Sequence, residues 1–399
     1  MDSIKDRFDI LPMILLLSLL AGCIEVDMSI PSFPDIAAEL NTNFSLVQMT
    51  IALNFVGFVL GALFYGPLSD SFGRRNVILS GSVVMLIGAL GCVFSTSIEF
   101  LLLSRLIQGI GACAPVVVVF AIISDKYEGV KMYSLFGLVN AFMSIAMAIA
   151  PLVGGWVNYY LGWRGNYAIV ALITFVSVIA LFIFLPETKK DKTPINLRFL
   201  TESYSKLVFS SKFVISSLVP SLLFAAYMVF VASSAFLYRE TFDLSVAQFV
   251  AHFFCVVVSF SITSLLSGKL ITILGGESQT EKIGIFVAIF SMLMLAVLGN
   301  NPLMLTLFMS MFCIGFALLY PIVFGRSMSI FPQISGVASS FNMSTRSLLV
   351  VAATSLSSYL YNGEPQQMAY IMLGIALVAF VLSMMFYLQK DKVSLADSI

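Results

Sequence analysis

Apolar runs of 17 or more residues alternate along this chain with short polar breaks that hold most of its charges. A run of that length crosses a hydrocarbon layer about 30 Å thick at about 1.5 Å per helical residue. The runs are continuous rather than alternating apolar and polar, which excludes barrel strands. Twelve helical spans are predicted, at 10–32, 46–68, 76–96, 99–124, 132–156, 164–185, 212–236, 246–270, 283–300, 302–326, 333–359 and 367–388. The thinnest breaks are Arg239, Glu240 and Asp243 after the seventh span, and residues 326–333 after the tenth.

Composition agrees with that pattern. Of 399 residues, 21 are Lys or Arg, 21 are Asp or Glu, and 59% are hydrophobic. Charged residues make up 11%, against about a quarter in soluble domains. A single soluble domain is thereby excluded. The five cysteines, Cys23, Cys92, Cys113, Cys255 and Cys313, lie in apolar runs at unrelated spacings. That argues against a disulfide framework or a thiolate metal site, and His252 is the only histidine. No metal or other cofactor, nucleic-acid partner or nucleotide hydrolysis is indicated, and no phosphate-binding Gly-Lys motif occurs. The energy source is therefore expected to be an ion gradient. The first run follows Lys5 and Arg7 and is read as a span rather than a cleaved leader, because no small-residue cleavage site stands out.

The basic residues set the orientation. With the N-terminus in the cytoplasm, seventeen fall on the inner side: Lys5, Arg7, Arg74, Arg75, Lys126, Lys131, Lys189, Lys190, Lys192, Arg198, Lys206, Lys212, Lys269, Lys282, Arg326, Lys390 and Lys392. Only Arg164 and Arg239 face the other side. Both termini are then cytoplasmic. The longest polar stretch, 186–211, divides the chain into an N-terminal six-helix bundle (1–185), a cytoplasmic linker (186–211) and a C-terminal six-helix bundle (212–399). Residues 195–209 look amphipathic; a surface helix and a disordered linker both fit. No internal sequence repeat is evident.

Five motifs carry a resemblance. After the second span stands Gly66-Pro67-Leu68-Ser69-Asp70-Ser71-Phe72-Gly73-Arg74-Arg75. Gly66 would permit close helix approach and Gly73 a tight reversal; Asp70 could accept from a helix N-terminus and pair with a base. Span four holds Arg105-Leu106-Ile107-Gln108-Gly109, and an arginine there costs at least about 2.5–3.5 kcal/mol without a polar partner. Span five ends in Ala146 through Gly155, with Ala150-Pro151 and Gly154-Gly155 permitting bending and close packing. Span one closes on Glu25-Val26-Asp27-Met28 followed by Pro31 and Pro34, and Phe331-Pro332-Gln333 leads through Ile334 into Ser335-Gly336 at the entry to span eleven.

The first three motifs resemble the signatures of the major facilitator superfamily, its gating loop, its arginine motif and its antiporter motif. The last two resemble the Bcr/CflA group of twelve-span drug:proton antiporters. Ala146 and Ala150 stand where the antiporter pattern has glycine. The resemblance covers essentially the whole chain. It implies an all-α integral membrane protein with the major facilitator fold, twelve transmembrane helices in two six-helix bundles. It further implies a bacterial inner-membrane location, Arg105 in proton transfer, and Pro151 with the glycine pair packing the two bundles together in exchangers.

Asp27 matches the group's aspartate and is the first candidate for proton binding, with Glu25 and Arg105 coupled to it. Removal from water disfavours the charged form of a carboxylate, so such a group could load a proton outside and release it inside. Glu25 could also bind a cationic substrate, share the proton, or reach the outer headgroups. Arg346, in the middle of span eleven, calls for a carboxylate or an anionic substrate: an ion pair with Glu25 or Asp27, or an acid in transit. Other cavity candidates are Asn54, Gln108, Asn140, Tyr227, Tyr320 and Asn342, with Phe224, Phe312 and Phe316 as apolar walls. His252 could titrate near neutral pH. The expected function is proton-coupled export of drug-like or amphipathic small organic molecules, by a single-chain, non-enzymatic carrier in membrane lipid; export of one acidic metabolite, such as a siderophore or amino acid, is the alternative.

Overall fold

The computed structural model describes residues 10–127, 129–189, 197–331, 334–361 and 363–396, and its regular elements there are helices. They are α1 (Leu11–Ser29), α2 (Phe33–Glu39), α3 (Phe44–Phe72), α4 (Arg74–Val93), α5 (Ile98–Lys126), α6 (Gly129–Phe184), α7 (Leu197–Val208), α8 (Ser211–Phe236), α9 (Val246–Ile273), α10 (Glu277–Leu298), α11 (Pro302–Ile330), α12 (Ser335–Leu360) and α13 (Pro365–Ala396). A 3₁₀ turn, Ile30–Ser32, joins α1 to α2. Pro31 and Pro34 each sit in the first turn of their segment, where the missing N–H breaks no helical bond. The side chains of Ser97, Ser210 and Asn301 cap α5, α8 and α11, and Ser245 with Gln248 forms a capping box on α9.

Each expected run coincides with helix, and two departures have physical causes. The fifth and sixth runs are joined in α6, which breaks only at Gly162, whose φ is +69°. Ten helical segments among the described residues are long and apolar enough to cross a membrane. The eleventh run, α12, is not among them, because Ser335, Ser339, Ser340, Asn342, Ser344, Thr345 and Arg346 dilute its hydropathy. The thin break after span seven is a π turn, Leu237–Thr241, followed by Asp243 at φ +53°.

Packing divides the chain into two compact units, residues 1–42 with 53–195, and 43–52 with 196–399. In the first, α1 packs on α6 and α4 on α5, around Leu15, Leu19, Ile78, Met85, Val118 and Ile122. In the second, α10 packs on α11, and α8 on α12 and α13. Of the two readings of residues 195–209, a helix is what forms over 197–208. Its Leu207 is buried with Phe213 and Ala338, so α7 docks its apolar edge on α8 and α12. Outward-facing side chains such as Phe64, Phe182 and Phe286 are apolar and exposed, as expected of surfaces solvated by lipid. Four of the five cysteines are buried, Cys255 is exposed, and all five are free thiols.

Candidate functional site

In the first unit, α1 carries two carboxylates into the interior two residues apart. Glu25 is 2% exposed and Asp27 3%, so neither reaches headgroups or bulk water in this structure. Their surroundings differ. Glu25 Oε2 accepts from Arg105 Nη1 at 3.2 Å, and its Oε1 accepts from Asn54 Nδ2 at 3.2 Å. Asp27 makes neither bond, and its buried Oδ1 has no hydrogen-bond partner among the described residues. Two helical positions turn a side chain through most of a half-circle, which is why adjacent acids meet different neighbours.

Arg105 on α5 is completely buried. Its Nη1 also donates to Gln108 Oε1 at 2.8 Å, and the Tyr167 ring lies 5.7 Å from its guanidinium carbon. Asn54 donates a second bond to the Arg105 carbonyl at 3.3 Å, and Cys92 Sγ reaches Gln108 Oε1 at 3.6 Å. Nε and Nη2 of Arg105 find no partner among the described residues. Asn54 and Gln108, expected as cavity lining, thus serve this ion pair. Tyr167 and Cys92 were not anticipated; they carry no charge and sit in ordinary apolar runs.

The loop between α3 and α4 is held by charges from three places. Arg74, 8% exposed, pairs with Asp70 at 2.8 Å and with Asp125 at 2.9 Å. Lys189 also reaches Asp70, at 3.5 Å. The expectation that Asp70 receives helix N–H groups is corrected: Glu187 does so, accepting from the backbone of Arg74 at 3.0 Å and of Arg75 at 3.3 Å. Asp70 is occupied by its bases instead. Gly73 has φ +98°, and a Cβ there would overlap the Glu187 carboxylate. Gly66 lends its carbonyl to the Ser69 hydroxyl at 2.8 Å, and Arg75 donates to the Phe182 carbonyl at 2.8 Å.

The α6 motif packs tightly against α1 within its own unit. Ala150, Pro151, Gly154 and Gly155 are buried, and a Cβ on Gly154 would overlap the Met28 carbonyl oxygen. The side chain of Asn140, another candidate on α6, lies outside the described residues, as do Pro332 and Gln333.

The remaining candidates gather in the second unit. Arg346 on α12 lies 4.7 Å from the Phe224 ring centre and reaches Tyr320 Oη at 3.4 Å. It lines an open cleft of about 220 Å³ with Tyr320, Phe324, Asn342 and Met343. Phe316 stands 5.5 Å from Tyr320, edge to face, and Tyr227 lies 6.4 Å from Phe224. Phe312 is wholly buried behind Phe316. Within the first unit, the partner of Glu25 is Arg105. His252 and Tyr238 both donate to Thr306 Oγ1, at 2.7 and 2.6 Å, since that hydroxyl itself donates to the Pro302 carbonyl. The sequence did not single out Glu281, which is buried and bonded to Arg326 at 2.6 Å and Ser383 at 2.9 Å.

Comparison with known proteins adds the following. The profile of a family described as Major Facilitator Superfamily matches residues 15–354. A bicyclomycin resistance protein homolog from Haemophilus influenzae is 28% identical over 257 residues, 64% of this chain and 64% of that protein. A chloramphenicol resistance protein from Pseudomonas aeruginosa is 33% identical over 190 residues, 47% of this chain and 45% of its own length. The chain thus matches less than two thirds of the length of either relative. In fold, it superposes on the xylose transporter XylE from E. coli with a TM-score of 0.75 at 14% identity, covering 94% of this chain and 97% of that one.

Proposed function

This chain belongs to the Major Facilitator Superfamily, and we propose that it is a proton-coupled antiporter exporting small organic molecules across a bacterial inner membrane. The reading takes the chain as twelve spans in two six-helix bundles, 1–185 and 212–399, with both termini cytoplasmic, working by alternating access as a single chain. The observation that carries it is the contrast between the two buried acids of α1. Glu25 accepts hydrogen bonds from a guanidinium and an amide, whereas Asp27 has a buried oxygen with no donor among the described residues. A buried carboxylate without a donor is relieved by taking a proton. Asp27 is therefore the proton carrier, and Glu25, engaged by Arg105 and Asn54, is the partner of the arginine beside it. The drug-resistance names of the relatives support organic solutes as cargo and export as the direction.

The test is reconstitution into proteoliposomes under an imposed pH gradient, with a panel of chloramphenicol, tetraphenylphosphonium and benzoate. Proton-driven movement of at least one compound is expected from the wild type, with no drive from a sodium gradient. Asp27→Asn should abolish the pH drive. Coupled transport by Asp27→Asn at the wild-type rate would overturn the assignment.

A further inference from the structure

Arg346 has no counter-ion among the described residues of the second unit. Arg105 and Arg326 are each joined to a buried glutamate, Glu25 and Glu281, whereas the contacts of Arg346 include no carboxylate among the described residues of its unit. What it has is weak: the Phe224 face, the Tyr320 hydroxyl at 3.4 Å, and the Met343 sulfur at 3.0 Å. Its Nε has no hydrogen-bond partner among the described residues. A guanidinium presents five N–H donors in a planar fork, and placing one within an apolar span costs at least about 2.5–3.5 kcal/mol. The side chain is half-buried and opens into the cleft of about 220 Å³ in the second unit. No acidic side chain among the described residues lines that cleft.

The rest of the lining fits an acid with a flat body. Ser217 also lines the cleft, and its buried hydroxyl has no partner among the described residues. Tyr320 and Phe324 stack with ring centres 5.5 Å apart, and Phe316 stands edge-on to Tyr320. They form an apolar wall beside the guanidinium. One positive charge balances one negative charge, which favours a monocarboxylate over a doubly charged phosphate.

We propose that this cleft binds the carboxylate of a small aromatic acid, with Arg346 as a two-point anchor, Ser217 as an added donor and the Tyr320–Phe324 pair along the ring. The proposal rests on reading the protein as a carrier of organic solutes and names the class of one of them.

Equilibrium binding of radiolabelled benzoate to the full chain in lipid nanodiscs, at fixed pH and without a gradient, tests it. Wild-type protein should bind benzoate, and Arg346→Gln should weaken binding about tenfold or more. Arg346→Lys, which keeps the charge and loses the fork, should fall between them. In the wild type, benzoate should also shield Arg346 from phenylglyoxal, read by mass spectrometry, an outcome that does not depend on any variant folding. Absence of benzoate binding, equal binding by Arg346→Gln, or unshielded Arg346 would each overturn the proposal. Failure here with pH-driven export of tetraphenylphosphonium intact removes only the acid site. Benzoate binding without any pH-driven transport removes only the coupling mechanism.

Discussion

Replacing Glu25 by Gln strands the Arg105 guanidinium in the interior of the first unit. Arg105 is completely buried, its Nη1 is 3.2 Å from Glu25, and two of its nitrogens have no other partner among the described residues. Removing one member of a buried pair typically costs about 3–5 kcal/mol, because the remaining charge is left uncompensated. At roughly 2–4 °C per kcal/mol for a unit of this size, the variant should melt on the order of 10 °C below the wild type. Replacing both members, Glu25→Gln with Arg105→Met, removes the stranded charge; substitution of a whole buried pair by neutral groups is often nearly neutral. The double variant should therefore recover most of the loss. Both tryptophans, Trp156 and Trp163, lie in the first unit, so intrinsic fluorescence during thermal melting of the purified protein reports on it directly. A Glu25→Gln melt within about 2 °C of wild type, or a double variant no better than the single, would refute the ion-pair reasoning.

Three further outcomes follow from the packing. Gly154→Val drives a side chain into the Met28 carbonyl and should destabilise the first unit by about 1–3 kcal/mol, measured by the same melt. Gly73→Ala combines a positive φ with overlap of the Glu187 carboxylate, and should cost about 1–3 kcal/mol, whereas Arg75→Ala should stay within about 0.5 kcal/mol of wild type because Arg75 sits at the exposed rim of the loop. Glu281→Gln weakens a charge-assisted bond to Arg326 and should speed amide hydrogen exchange at the facing ends of α10 and α11, corresponding to about 1.5–3 kcal/mol.

Much of the helix plan was legible because continuous apolar runs of span length admit few alternatives in lipid. Span one is predicted through residue 32 although α1 ends at Ser29, whereas the reversal at Gly73 was legible for a local reason, since it depends on residues a few positions apart. The partnerships were not. Glu187 lies 113 residues from Arg74, and Arg105 lies 80 from Glu25; no spacing rule connects them. Asp70 looked like the natural acceptor for the α4 backbone, but its Oδ1 meets Arg74 and Lys189, and Glu187 takes the backbone N–H groups. Glu281 passed unnoticed because a charge at the end of a run reads as loop, although α10 begins four residues before it. Arg346 was conspicuous in the sequence, but the sequence offered both a carboxylate and a ligand as its counter-ion.

The central claim is that Asp27, rather than Glu25, gains and loses the transported proton. Infrared spectroscopy of the protein in bilayers, followed as pH is varied, tests it without any substrate through the C=O stretch of a protonated carboxyl. The account predicts a pH-dependent band that persists in Glu25→Gln and vanishes in Asp27→Asn. A band that survives Asp27→Asn unchanged, or disappears with Glu25→Gln alone, would contradict it.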